Sequence, residues 1–139
     1  MKITSKRLIL LLLCCVFPRQ LLPSDLPKNL VVQAAYVENA NLTKLLAENF
    51  ENLNDLRVQR RASGAFSLVF VVKNTGRSFV EFTPVLRLSP SARSDLTLPE
   101  MYCHGGKTQF FIMSLYDGQD GVDIKNDPEL VATKGLVVK

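Results

Sequence analysis

Cys103 and His104 stand side by side, and His104 is the chain's single imidazole, so this pair is the first place to look for nucleophilic chemistry. A catalytic cysteine needs a base within hydrogen-bond reach and usually a third group to orient that base. Adjacent residues on a strand point to opposite faces, which sets thiol and imidazole apart. The pair therefore reads as a strand end followed by the Gly105-Gly106 turn. No Gly-x-Ser-x-Gly elbow accompanies His104-Gly105-Gly106, so the motif is not expected to serve as an oxyanion loop. A second cluster, Asp117, Gln119, Asp120 and Asp123, offers oxygen ligands of the kind Ca²⁺ takes. Its spacing fails the EF-hand rule: Gly121 holds the fifth position from Asp117, and no glutamate closes the loop. Gly118, Gly121 and Asp123 make at most one unit of a calcium β-roll, whose stacking needs several. Asp117, Asp120 and Asp123 remain candidate metal ligands, and the expected reading is a solvated turn without metal or cofactor.

Three further motifs concern modification. Arg60-Arg61-Ala62-Ser63 fits the basic recognition pattern of cyclic-nucleotide-dependent protein kinases, but an exported chain would not meet one, and the motif reads as an exposed turn. Asn41-Leu42-Thr43 is an N-glycosylation acceptor sequence if the chain passes through a eukaryotic secretory pathway. Cys14 and Cys15 raise the question of a lipid anchor. A bacterial lipoprotein signal wants a small residue before the modified cysteine, whereas Cys14 follows three leucines and Cys15 follows Cys14. Both read as polarizable apolar filler.

Export itself is indicated by the first 24 residues. Lys2, Lys6 and Arg7 form a basic head, Leu8 to Phe17 an unbroken apolar run, and Leu22-Pro23-Ser24 a cleavage region ending in a small residue. As a helix the run would span roughly 15 Å, about half a hydrocarbon core, too short for a membrane span. Cleavage after Ser24 removes Lys2, Lys6, Arg7 and Arg19 and no acidic side chain. The 17 basic and 13 acidic residues of the whole chain thus become 13 of each. The positive charge belongs to the leader and gives no ground for nucleic-acid binding. Cys103 is then the one remaining thiol, so no internal disulfide forms, and burial is its expected fate. Residues 1–24 are read as a signal peptide, 25–40 as a lead segment, and 41–139 as a single domain in a secreted, periplasmic or envelope protein.

Hydrophobic period supplies the elements that would position any site. Leu42, Leu45, Leu46, Phe50 and Leu53 share one helical face, which predicts a helix from Asn41, as N-cap, to Leu53. Leu56 and Val58 alternate with polar residues as in a half-buried strand. Phe66, Leu68, Phe70 and Val72 form one side of a strand, and Val80, Phe82, Leu86 and Leu88 one side of the next. With Asn74-Thr75-Gly76 between them they read as a β-hairpin, Gly76 left-handed and Pro84 at an edge or bulge. Leu96 to Leu98 and Met101 to Cys103 read as short strands. Lys107 to Tyr116 reads as a central strand covered on both faces. Asp127-Pro128-Glu129 opens a short helix to Thr133, before a last strand at Leu136-Val137-Val138. The expected fold is mainly β (α+β): a small antiparallel β-sandwich with one amphipathic helix packed at its N-terminal side.

Residues Asn54 to Pro84, with the Lys73-Asn74-Thr75-Gly76 turn between two strands and Asn39-Ala40-Asn41-Leu42 upstream, resemble the small YcfL-type bacterial envelope proteins. That resemblance implies a β-sandwich envelope protein, lipid-anchored in the family, whose role is unresolved, and it supplies no catalytic residues. Lys44 to Arg93 carries eight basic and four acidic residues, and Asp95 to Lys139 four basic and seven acidic. If the fold separates these halves, a dipolar surface would suit a charged protein partner. The function expected is a non-enzymatic exported binding or structural module for a protein partner, acting through a sheet edge or face. One alternative is a small metal- or thiol-dependent enzyme using Cys103, His104 or the Asp117–Asp123 loop. Another is an accessory protein tethered to the membrane through its retained N-terminus.

Overall fold

The computed structural model describes residues 26–47, 65–116, 119 and 122–139. Seven strands and one helix follow in the order β1 (Leu30–Glu38), α1 (Asn39–Ala47), β2 (Phe66–Asn74), β3 (Val80–Arg87), β4 (Leu96–Thr97), β5 (Met101–Cys103), β6 (Thr108–Leu115) and β7 (Glu129–Val138). They form two antiparallel sheets. One has the order β1-β2-β6; in the other, β3 is flanked by β7 on one side and by β4 and β5 on the other.

The alternation read along Phe66–Val72 holds. Phe66, Leu68, Phe70 and Val72 enter the main core, where Val80, Phe82, Leu86 and Leu88 from the other sheet meet them. These two strands nevertheless do not form a hairpin. β2 pairs with β1 and β6, and β3 pairs with β4, β5 and β7. Residues 75–79 therefore form an arch from one sheet to the other. Two strands whose apolar sides must both reach one core can lie side by side or stack across it, and the pattern of apolar residues is the same in either case.

Asn74 fastens the arch. Its side chain is buried, its Nδ2 donates to the carbonyls of Ser78 (2.7 Å) and Cys103 (3.1 Å), and its Oδ1 accepts from the Gly76 N–H (3.0 Å). Its backbone N–H donates to Lys107 O, and its carbonyl accepts from Gly106 N–H, which ties the arch to the β5–β6 turn. Gly76 does not adopt the left-handed conformation; among the described glycines Gly106 and Gly135 do. Gly76 is instead confined by the Asn29 side chain, and Gly105 by the backbone of Arg77. At the other end of the sandwich the Tyr36 hydroxyl of β1 donates to the Leu88 carbonyl (2.6 Å), with the Tyr36 ring edge-on to Phe66.

Three further expectations are corrected, and a fourth, Pro84 at an edge or bulge, holds in its second form. Leu30–Glu38 is not part of a lead segment but a nine-residue strand. The covered central strand is β2, buried at every position except Lys73, while β6 is an edge strand with exposed and half-buried residues alternating along most of it. No helix starts at Asp127-Pro128-Glu129, because Leu130, Ala132 and Thr133 pair with β3 and the chain stays extended to Val138. The ladder of β-branched and apolar pairs outweighs the cap signal of so short a helix. Pro84 lies on the inner strand β3, between two register shifts in its pairing with β7 and where its other neighbour changes from β5 to β4. Its carbonyl accepts from Leu98 N–H, so its missing donor faces that gap.

α1 starts at Asn39, whose Oδ1 accepts from the Ser67 hydroxyl at 2.7 Å, and Asn41 is therefore inside the helix rather than its cap. Leu42 packs on a second cluster, Ala35, Val37, Val69 and Val71, on the far face of the β1-β2-β6 sheet. The expected continuation to Leu53, the strand at Leu56 and Val58, and Arg60-Arg61-Ala62-Ser63 lie outside the described residues. The basic and acidic halves of the chain do not separate, since β6 joins β1 and β2 in one sheet while β3 sits among β4, β5 and β7 in the other.

Truncating Phe70, fully buried on β2, to alanine should destabilise the chain by about 3–5 kcal/mol. Gly105→Ala presses a Cβ to 2.5 Å from the Arg77 carbonyl oxygen and should cost about 2–3 kcal/mol. Gly76→Ala meets only the movable Asn29 side chain and should cost under about 1 kcal/mol. Urea denaturation of the three variants beside the parent checks this order.

Candidate functional site

Cys103 and His104 do not come together. Cys103 points into the core, and its thiol donates to the Lys107 carbonyl at 3.0 Å. Burial pushes this thiol above its ordinary range, and a backbone hydrogen bond from Asn74 opposes the shift. A protonated, enclosed sulfur is a poor nucleophile. His104 turns to the opposite, outer face and rests against the Phe79 ring, with centroids 4.9 Å apart, while Tyr102 stacks on Phe79 at 6.3 Å. On the same outer face the Glu81 carboxyl hydrogen-bonds that of Glu100 and raises it above the usual carboxylate range.

Of the candidate calcium ligands, Asp117 and Asp120 lie outside the described residues. Asp123 accepts from the Lys125 N–H (3.0 Å) and the Asn126 Nδ2 (2.9 Å), so both of its oxygens serve its own turn. Among the described residues no three acidic, histidine or cysteine side chains gather around one point. Asn41, the glycosylation candidate, is half-buried in α1. Cys14 and Cys15 lie outside the described residues, within which no helix is long and apolar enough to cross a membrane.

The feature that stands out in the structure lies elsewhere, where β6 borders the open side of the sandwich. A cleft of about 590 Å³ opens there between the β6 end and the segment that links β3 to β4. Its floor is apolar, made by Leu88, Leu96, Met113, Leu115 and Val122. Its polar lining residues are the exposed Ser91, Arg93, Ser94, Asp95 and Gln119 and the buried Ser89. Asp95 is engaged by Arg87 through two contacts of 3.1 and 3.4 Å. Arg93 is exposed and forms no ion pair among the described residues.

The backbone of β6 completes the site. Asn74 N–H donates to Lys107 O, and β2 pairs with β6 in continuous register from Lys73↔Thr108 to Phe66↔Leu115. Backbone groups alternate in direction along an antiparallel strand, so those of Ile112 and Ser114 turn away from β2. No described strand pairs with that outer edge. Thr108–Leu115 contains neither charge nor proline, and its pairing with β2 has no register shift. The other sheet's edges differ: β7 carries Lys134, two register shifts and left-handed Gly135, and β4 and β5 are short and separated by Pro99. Charges, bulges, prolines and shortness are the usual devices that stop an edge from accepting another strand. β6 has none of them. No sequence motif marks the cleft, because its described walls come from two separate stretches, residues 88–96 and Met113, Leu115, Gln119 and Val122. The lack of charge from Thr108 to Leu115 was the legible signal, and it does not distinguish an edge strand from a covered one.

Comparison with known proteins finds no matching family model, no curated protein and no solved structure.

Burial raises the Tyr36 hydroxyl as well as the Cys103 thiol, with Asp123 and Asp127 adding to the effect on Tyr36. In both cases the native fold keeps its proton to higher pH than the unfolded chain does. Their contribution is whole below the ordinary thiol value of 9.0 and is lost progressively as pH rises beyond it. The urea midpoint should hold steady from pH 7 to 8 and then fall, with the Tyr36→Phe variant falling less steeply than the parent. Cys103 should resist a thiol reagent at pH 8 until urea unfolds the chain.

Proposed function

We propose that this chain is an exported, non-enzymatic β-sandwich module that binds an extended segment of a partner protein along the outer edge of β6. The observation that carries the reading is the end of β6 at Ile112 and Ser114, whose outer edge no described strand pairs with and which lies directly beside the cleft. Strand addition obtains affinity from main-chain hydrogen bonds and specificity from pockets that receive alternate side chains. A strand end at Ile112 and Ser114 with no partner among the described strands, and an adjoining cleft, would supply both. The edge strand β1 contributes no residue to the cleft, which favours β6 as the acceptor. The basic head, apolar run and cleavage region of residues 1–24 support export to the envelope or beyond, where an uncleaved leader would act as a membrane tether. The separation of Cys103 from His104 and the internal use of the Asp123 carboxylate support a binding rather than a catalytic role.

Ser114→Pro deletes one N–H on the outer edge and leaves the bonds from β6 to β2 in place. A random decapeptide library displayed against the purified chain should yield binders to the parent, and Ser114→Pro should lose them by tenfold or more while keeping the parent's urea midpoint. Absence of any enriched peptide, or equal binding by Ser114→Pro, would overturn the reading.

A further inference from the structure

The end of the sandwich that holds the arch gathers positive charge. The arch and the β5–β6 turn lie there beside the segment that enters β1, which brings together residues 26–32, 72–80, 103–109 and 138–139. These stretches contain Lys28, Lys73, Arg77, Lys107 and Lys139, all exposed, and neither aspartate nor glutamate. We infer that this arch end docks on an anionic lipid surface, beside the point where residues 1–25 join the fold. Such a surface goes beyond the strand-addition reading, whose cleft opens at the opposite end.

Backbone bonds hold the cations near one another. Thr75 N–H donates to the carbonyl of Asn29, next to Lys28; Asn74 N–H donates to that of Lys107; and Phe79 and Lys139 exchange both of their bonds at 2.8 Å. Lys73 lies level with Val31 and Thr108 on the neighbouring strands, and Gly105 packs on the Arg77 backbone. None of the five forms an ion pair among the described residues. The nearest acids along the strands are Glu81, level with Tyr102 one step further in, and Glu100, which Glu81 hydrogen-bonds. Residues 48–64 and the undescribed neighbours of Gln119 join the fold at the far end, past Glu38, Phe66 and Leu115. Asp25 and a terminal carboxylate at Lys139 would cancel two of the five charges and leave the end positive. Like charges so placed repel, and an anionic surface relieves that repulsion.

The position of the N-terminal segment selects lipid as the occupant. The apolar run of residues 8–17 ends nine positions before Leu26. Fully extended, that spacer reaches about 30 Å, so a retained run embedded in a bilayer keeps the arch end, and not the cleft, near the headgroups. One apolar anchor binds a membrane weakly, and a basic patch beside it is the usual second signal. Cleavage after Ser24 instead leaves a free amino group at the same end, which adds to its charge. Tyr102, 55% exposed and stacked on Phe79, is the kind of ring with a polar tip that collects at headgroup level. An acidic protein would satisfy the same charges but not the position of the apolar run.

Sedimentation of the full chain with vesicles of phosphatidylcholine alone, and with about one-third phosphatidylglycerol, provides the test. Binding to the anionic vesicles should exceed binding to the neutral ones about tenfold or more at about 0.1 M salt, and the two should converge at about 1 M. Arg77→Glu with Lys107→Glu should lower that preference about fivefold or more, and Lys28→Glu with Lys139→Glu should do the same, each pair keeping the parent's urea midpoint. Lys2, Lys6, Arg7 and Arg19 are present in every variant, so such a fall belongs to the arch end. Lys44→Glu with Lys125→Glu makes an equal change of net charge away from this end and should leave the preference within about twofold. Equal binding to the two compositions, a preference unchanged in both arch-end pairs, or an equal fall in the remote pair would overturn the inference. Retention on polyglutamate without preference for anionic vesicles would also overturn it and would mark an acidic protein as the occupant.

Discussion

The arrangement depends on one buried amide. Asn74, itself buried, ends β2 and begins the arch to β3, where the chain leaves one sheet for the other through the exposed and half-buried residues 75–79. The backbone there and in adjoining β5 carries donors and acceptors that no ladder satisfies, and where one is buried, as the Cys103 carbonyl is, leaving it unpaired costs about 1–3 kcal/mol. The Asn74 side chain answers three of them, at Ser78, Cys103 and Gly76. Among the described residues no buried side-chain nitrogen or oxygen lacks a partner. The two carbonyls need donors and the Gly76 N–H needs an acceptor, which is the inventory of a carboxamide and not of a carboxylate or a hydroxyl.

From that arch the rest follows in order. With β2 and β3 in opposite sheets, β2 is free to take β1 on one side and β6 on the other, and it becomes the covered strand at the centre. The same corner turns β5 into β6 through Gly105 and Gly106, so this second crossing between sheets is fastened to the first by the Asn74 backbone. β6 is thereby set at the border of its sheet. The pair of crossings lies at one end of the sandwich, and the cleft opens at the other, between Leu115 and the chain leaving β3 at Leu88. The edge position of β6 and the cleft are consequences of how the chain changes sheets.

The positions of most strands and the faces of β2 and β3 were legible in the amino-acid pattern, because burial on one side imposes a period of two. Partners were not. Phe66–Val72 and Val80–Leu88 direct apolar residues to one core whether they lie side by side or opposite each other, and Asn74-Thr75-Gly76 serves an arch as readily as a hairpin. Thr108–Leu115 was misplaced because an uncharged run looks alike in a covered strand and in an unguarded edge. Asp127-Pro128-Glu129 carried a local helix signal that pairing with β3 overrode. Strand β1 was missed altogether within the expected lead segment, since Gln33 and the two alanines weaken the apolar pattern over a segment that β2 nonetheless pairs along its length. Of the candidate residues, Cys103 behaved as its type and its position on a strand required, buried and apart from His104. The cleft could not be read from any one stretch, because it exists only where distant stretches meet.

The claim that the amide of Asn74 holds the two sheets in this arrangement is tested most directly by urea denaturation of Asn74→Ala beside the parent. The account predicts a loss of about 2 kcal/mol or more, since the buried Cys103 carbonyl loses its donor and the bonds that fix the arch at Ser78 and Gly76 are lost with it. A change within about 0.5 kcal/mol, the size expected of an ordinary surface substitution, would contradict it.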